Sequence, residues 1–563
     1  MRKLSLLVVL ISLPLAILAS AQMHHAAPAK APANAAASTV VLNPALGPMH
    51  HAVTTANPEA QKFFDQGLNL VYGFNHSEAE KSFQRAAALD PNMAMAWWGI
   101  AYAVGPNYNL PVDWEREQIA YNAIGKADAL AAKATPSERA YIAALRKRIT
   151  NDKNANLHQL DVDYSNAMRE LVTAYPDDLD AATLFAESMM NLRPWKLWQP
   201  DGTPAPGTEE IVATLESVLR RNPDHMGAMH FYIHAVEASG SPERALRSSD
   251  HLGALAPASG HIVHMPSHIY IRTGDFDHAA VSNEQAAKAD EAYIARAHLQ
   301  GVYPLMYYSH NLHFLAAAYG ADGRFADAMR SSQRLESNVA PHIKDVPMLE
   351  GFMPTRYFVL ARFHRWADVM KLPPPPTDHH FQTVMWHYAR GVAMAAKGDA
   401  AGAQKEHDAL VEAGKPIPAD MIVSSVGNTA VQVVRVADAV LAARIVEAKS
   451  GEAKAAGKSD PAVIDAWRNA VTEYDKVAYA EPPDWYYSVR ESLGAALLRG
   501  KQYKEAEQVF REDLLRNRRS GRSLYGLALA LKGQGRDYDS GFVMTEYKTA
   551  WSKAEKPLTE GDL

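Results

Sequence analysis

Small, aromatic and proline residues recur in this chain at fixed offsets within a 34-residue frame. Counting Ala60 as position 1 puts Gly67 at position 8, Ala79 at 20, Phe83 at 24, Ala86 at 27 and Pro91 at 32. The next frame opens at Ala94 and puts Trp97 at position 4. Small side chains let two helices approach closely, an aromatic ring fills the notch between them, and the proline ends one unit before the next begins. The same register returns in a unit opening at Leu179, set by Pro176, and in one from Met226 to Ser259, set by Ala245 and Pro257. Its contiguous neighbour, Gly260 to Tyr293, is set by Gly274 and Ala279. Further units open at Ser309, with Tyr319 and Ala328, near Met348, and at Val384, with Gly398 and Ala403. A last one is marked by Leu493, Gly494, Ala506 and Phe510, followed by a helix around Leu524 to Leu531.

A helix pair repeated at this period is the tetratricopeptide pattern. It predicts an all-α fold, a right-handed superhelix of about eight to ten antiparallel helix pairs. Two segments interrupt it. Residues 192–207 are rich in Pro, Gly and Trp and fall where the Leu179 unit should turn between its helices, so they are expected at one edge of the solenoid, with Trp195 and Trp198 as a candidate lid over its groove. Residues 372–377 carry four consecutive prolines and read as a stiff connector. The chain then divides into a signal peptide at 1–21, a flexible leader at 22–56, an N-terminal array at 57–371, the connector, and a C-terminal array at 378–563.

The export reading rests on Arg2 and Lys3, the apolar run from Leu4 to Leu18, and the small residues Ala19, Ser20 and Ala21. That run is shorter than the roughly 20 residues that cross a bilayer, and no later stretch is long and uncharged enough, so no membrane span is expected and the mature chain is expected in the periplasm or medium. With no cysteine, disulfides, thiol catalysis and thiolate metal sites are excluded. With 57 basic against 63 acidic side chains and no long basic run with interleaved aromatics, nucleic acid is not an expected partner.

What the repeat register adds is an address for the histidines. In a tetratricopeptide unit the first helix lines the concave groove, with positions 2, 5, 9 and 12 facing it. The Met226 unit places His230 and His234 at positions 5 and 9, the Gly260 unit places His261, His264 and His268 at 2, 5 and 9, and the Ser309 unit places His310 and His313 at 2 and 5. With 23 His in 563 residues, about 4%, chance would put fewer than one at these sites. Positions 5 and 9 share a helix face, with Cβ atoms about 6 Å apart, and neighbouring helices pack about 8 to 10 Å apart, so the imidazoles can converge. The preceding unit offers Glu187 at position 9, in line with them. His230, His234, His264, His268 and Glu187 therefore form a candidate ligand set for zinc, iron, copper or nickel, with His261, His310, His313 and Glu237 beside it. Pro266 lies between His264 and His268 and is expected to kink the helix or delay its start, taking His264 off the regular face. Trp98 and Tyr102 occupy groove positions in the second unit and suggest an apolar end to the groove.

The stretches FNHSEAEKSFQRAAALDP (Phe74 to Pro91), AMAWWGIAYAVGPNYN (Ala94 to Asn109), HFYIHAVEASGSPERAL (His230 to Leu246) and GHIVHMPSHIYIRTGDF (Gly260 to Phe276) resemble a family of exported bacterial tetratricopeptide proteins, and the likeness runs from about His50 onward and includes PWKLW. The resemblance implies that His76, Pro194, Trp195, His230, His234, Glu237, His261, His264 and His268 belong to the family pattern; it implies no activity. Three functions are compatible with these residues. The first is a scaffold that holds a protein, peptide or small ligand in its groove with a His-bound transition metal; the second is a metal-dependent hydrolase or oxidoreductase with Glu187 or Glu237 as base; the third is a metal-free peptide-binding solenoid. No G-x-S-x-G, Walker or H-E-x-x-H motif favours catalysis.

Overall fold

A computed structural model describes residues 40–199, 201–424, 427–451 and 460–563. The proposed signal peptide and the first part of the leader lie outside the described residues. Among the described residues the chain is helical with no strand longer than an isolated bridge, and helices adjacent in sequence pack against one another from Pro58–Tyr72 to Asp537–Ala550. The fold is an all-α solenoid. No described helix is long and apolar enough to cross a membrane.

The register has a visible steric basis. A Cβ added to Gly67 would sit 2.6 Å from the Phe83 ring, and one added to Gly99 in the next unit 2.4 Å from it. Phe83 is thus clasped between two helices that only glycine lets so close. The device is repeated near the C-terminus, where Phe510 lies 2.5 Å from a Cβ at Gly494 and 2.3 Å from one at Gly526. The turn between paired helices also recurs. Phe74, Gly274, Gly323 and Gly398 share one position in their units and all adopt a left-handed backbone, with φ of 54°, 77°, 77° and 83°. Three are glycine, which takes this conformation without cost; Phe74 is the exception and carries about 1–3 kcal/mol of strain.

Helix starts follow ordinary capping chemistry. Asn57 accepts from the Glu59 and Ala60 amides ahead of Pro58, and Thr135 with Glu138 forms a reciprocal box ahead of the Pro136–Arg146 helix. At Pro266 the groove helix breaks into Gly260–His264 and Pro266–Thr273, as the missing amide requires.

Two expectations need correction. Residues 40–56 are not free: the Asn43 amide donates to Gln66, His51 Nδ1 lies 2.7 Å from Asp180, Thr54 binds Glu138, and the Thr55 hydroxyl donates to Asp90. Low hydrophobicity hid a segment tied down by polar contacts. The proline run, which forms no helix, does not divide the core: buried side chains from Tyr357 through Leu372 and Phe381 to Trp551 form one cluster that crosses it.

The superhelix curls until its C-terminal part meets its middle. Arg518 donates to Glu243 and to the Gly240 carbonyl, Arg272 donates to the Arg516 carbonyl, and Lys553 lies 3.5 Å from Asp277. This closure carries the segment around Glu481 into the centre of the molecule.

Candidate metal centre

The helices Met226–Val236, Gly260–His264, Pro266–Thr273 and Tyr308–Ala321 bring six imidazoles together. They form two triads, His230/His234/His261 and His264/His268/His310, and within each triad one nitrogen of every ring lies within 4.8 Å of the others. The break at Pro266 does not separate His264 from its neighbour, because their Nε2 atoms are 2.9 Å apart. In the other triad the Nε2 atoms of His230 and His261 are 3.1 Å apart.

The outer contacts settle which nitrogens face inward as lone pairs. His230 Nδ1 is 2.5 Å from the Tyr72 carbonyl, which only accepts, so that nitrogen carries the proton. His264 Nδ1 faces Asn283 Oδ1 at 2.7 Å, and the Asn amide is oriented by donating its own N–H to the Ala279 carbonyl. His234 Nδ1 donates to Glu237 at 3.0 Å. His268 Nδ1 lies between two carboxylates, 2.6 Å from Glu237 and 2.8 Å from Glu481. In His230, His234 and His264 the Nε2 lone pair then points into the cluster, the pattern by which metal-binding histidines are held from behind, while His268, charged by its two carboxylates, donates Nε2–H to His264 until an ion takes that proton's place. His234 Nε2 is buried and has no hydrogen-bond partner. An unsatisfied buried acceptor costs about 1–3 kcal/mol, so something cationic or proton-bearing belongs opposite it.

The site is closed. His230, His234, His261, His264 and His268 are all buried, the most accessible at 6%. The strained turn at Phe74 sets its ring 4.4 Å from His230 and 5.4 Å from His261. Tyr108 stands 5.6 Å from His234, and Tyr307, delivered by a single π-helical turn at Tyr303–Tyr307, 5.3 Å from His261. Trp195 packs edge-on at 5.3 Å over His234, while Trp198 is tied by its indole N–H to the Ala235 carbonyl. The 192–207 insertion thus reaches the cluster as a cover. The groove face expected to be open is filled from both sides by aromatic rings and the Glu481 segment.

Burial, and then the neighbouring imidazoles, hold His230, His261 and His310 well below the usual histidine range, and burial does the same to His264. His268 goes the other way: burial pulls it down, but the Glu237 and Glu481 carboxylates overcome this and raise it to about 10. Glu237 is correspondingly depressed by His268 and His234 against the opposing effect of burial.

Several expected members lie elsewhere. Glu187 faces away, accepting from the Tyr102 hydroxyl at 2.9 Å and from Asn191 at 2.5 Å, and Trp98 stacks on Tyr102 at 5.2 Å. These three form a separate buried patch, so the carboxylate serving the cluster is Glu237 and not Glu187. His313 sits one turn beyond His310, against Phe352 and Tyr486, and takes no part. His76 lies behind Phe74, with ring centroids 6.0 Å apart. Two residues of these buried polar clusters were not foreseen from sequence. Glu481 lies outside any recognisable repeat, and Asp180, on the Leu179–Met190 helix, accepts from Tyr72 at 2.7 Å and bridges His51 and His225 in a second polar knot.

No protein-family model matches the chain, and no curated protein does. Among solved structures, the human IFIT1 dimer with PPP-AAAA is 13% identical over 88% of this chain and 90% of that one, with a TM-score of 0.32. Yeast Tom70 is 12% identical over 87% and 92%, with a TM-score of 0.25. At these scores the likeness carries no functional argument. The reading of the site rests on its own geometry.

Proposed function

We propose that this chain is an exported tetratricopeptide-type scaffold whose concave side holds a transition metal through the histidine cluster. The observation that carries the reading is the His234 Nε2 lone pair, buried without a partner among imidazoles whose outer nitrogens are already engaged by Glu237, Glu481, Asn283 and the Tyr72 carbonyl. Zinc or copper bonded to imidazole at about 2.0–2.1 Å sets neighbouring nitrogens about 3.0–3.5 Å apart, close to the two Nε2 separations of 3.1 and 2.9 Å. A peptide needs an open trough of hydrogen-bonding side chains, and these positions are buried and aromatic-lined, which favours an ion over a peptide there. The ligand or partner that the scaffold serves then approaches past Trp195 or along the outer surface.

Elemental analysis of the mature protein after native purification tests this, beside a variant with His234→Ala and His268→Ala. The expected result is at least one zinc, copper, iron or nickel ion per chain in the parent and a loss of most of it in the variant. Less than about 0.1 metal per chain in the parent overturns the proposal.

A further inference from the structure

We propose that the cluster holds two metal ions, one on His230, His234 and His261 and the other on His264, His268 and His310, and that the pair is copper. This rests on the reading that the cluster binds metal, and it adds number and identity.

The number follows from how the rings are grouped. Each triad satisfies the ligand-atom proximity on its own, and the two share no residue. Each contains one short Nε2 pair, at 3.1 Å in the first and 2.9 Å in the second. A single six-coordinate ion would need opposite nitrogens within about 4.2 Å, twice the metal–nitrogen length, for all six rings at once. The rings are instead arranged as two groups in contact: His230 lies 4.9 Å from both of its triad partners and His264 4.8 Å from both of its own, against 5.4 Å and 5.8 Å for the His234–His268 and His261–His264 pairs between the groups. Glu237 ties the groups together from outside. One of its oxygens takes His234 Nδ1 at 3.0 Å and the other meets His268 Nδ1 at 2.6 Å, so the carboxylate orients one ring of each triad and bonds directly to neither ion.

The identity follows from charge and donor type. Six imidazoles, neutral once their Nε2 atoms bind metal, with no thiolate and with the carboxylates held on the outer Nδ1 side, form a nitrogen-only environment, which disfavours magnesium, calcium and manganese. The compensating charge is limited to Glu237 and Glu481, and Arg272, 3.9 Å from Glu481, offsets part of it. Two divalent ions would leave a buried excess of positive charge. Two monovalent ions leave an excess of about one charge where two divalent ions leave about three, and copper is the imidazole-binding metal with a stable monovalent state.

The full mature chain, stripped of metal, is loaded anaerobically with excess copper(I), desalted and assayed for copper per chain. The parent is expected to hold two, and His261→Gln and His310→Gln, each removing one ligand from one triad, about one each after desalting against a weak chelator. Because either variant could misfold, X-ray absorption at the copper edge on the parent alone provides the second readout, with a copper–copper scattering path expected. One copper per parent chain without that path overturns the two-ion proposal and leaves the metal reading standing. Two zinc ions retained against equimolar copper(I) overturn the assignment to copper. Less than about 0.1 of either metal overturns both this proposal and the metal reading.

Discussion

Changing Glu237 to Gln separates a metal centre from a merely polar core. The side chain is 2% exposed; one oxygen accepts from His234 Nδ1 at 3.0 Å, and the other lies 2.6 Å from His268 Nδ1 as an ion-pair contact beside the His268–Glu481 hydrogen bond. Glutamine has nearly the same shape but only one acceptor. Its carbonyl can still accept from His234 Nδ1, and its N–H₂ then faces His268 Nδ1, whose proton Glu481 still accepts, so the centre loses one carboxylate charge and one outer partner of His268. Loss of an outer-shell partner ordinarily costs about 10–100-fold in metal affinity, or about 1.4–2.7 kcal/mol, and this variant is expected within that range. His268 keeps Glu481 at 2.8 Å, so the fold should survive. Competition with a chromophoric chelator at fixed pH measures the affinity, and a thermal melt of the metal-free protein checks folding. An affinity within about two-fold of the parent in a folded Glu237→Gln protein would refute the assignment of these rings as ligands.

Glu187→Gln should leave metal content unchanged, since Glu187 answers to Tyr102 and Asn191; equal loss in elemental analysis of this variant would contradict the placement of the site. Gly67→Ala and Gly494→Ala should each destabilise the protein by about 1–3 kcal/mol in denaturant unfolding, because the new methyl meets a phenylalanine ring at 2.6 and 2.5 Å; no change in midpoint would contradict the clasp. Docking of residues 43–56 should depend on pH through His51 and Asp180. Burial lowers the His51 value, but Asp180 more than restores it, so the folded value is raised and this contribution, complete below about 6.5, is lost as pH rises through it. Burial acts to raise Asp180, but His225 and His51 depress it, so its contribution is present above about 3.9 and lost as pH falls. Hydrogen exchange of this segment should therefore be slowest in mildly acidic solution, and His51→Ala should abolish the loss of protection on the alkaline side.

The helix pairs were legible because their spacing is set by local sterics: Gly67, Phe83 and Gly99 each act within one unit of the next, and sequence offsets translate directly into contacts. The histidine cluster was legible for the same reason, since consecutive first helices present matching positions to one side. What could not be read were contacts set by the curvature of the whole array. Glu481 reaches His268 across 213 residues because the superhelix closes on itself, and no local periodicity encodes that closure. Glu187 misled because alignment along the groove said nothing of its neighbours, and Tyr102 and Asn191 had claimed both its oxygens. The leader escaped notice because hydrogen bonds to Gln66, Glu138 and Asp180, not apolar burial, hold it.

The central claim is that metal sits between these imidazoles. Anomalous X-ray diffraction from crystals of natively purified protein, collected on both sides of the absorption edge of the metal found by fluorescence, tests it most directly. The expected result is an anomalous peak about 2.0–2.1 Å from the Nε2 atoms of His230, His234 or His268. Water density there, with no anomalous signal and full occupancy of the side chains, would contradict it.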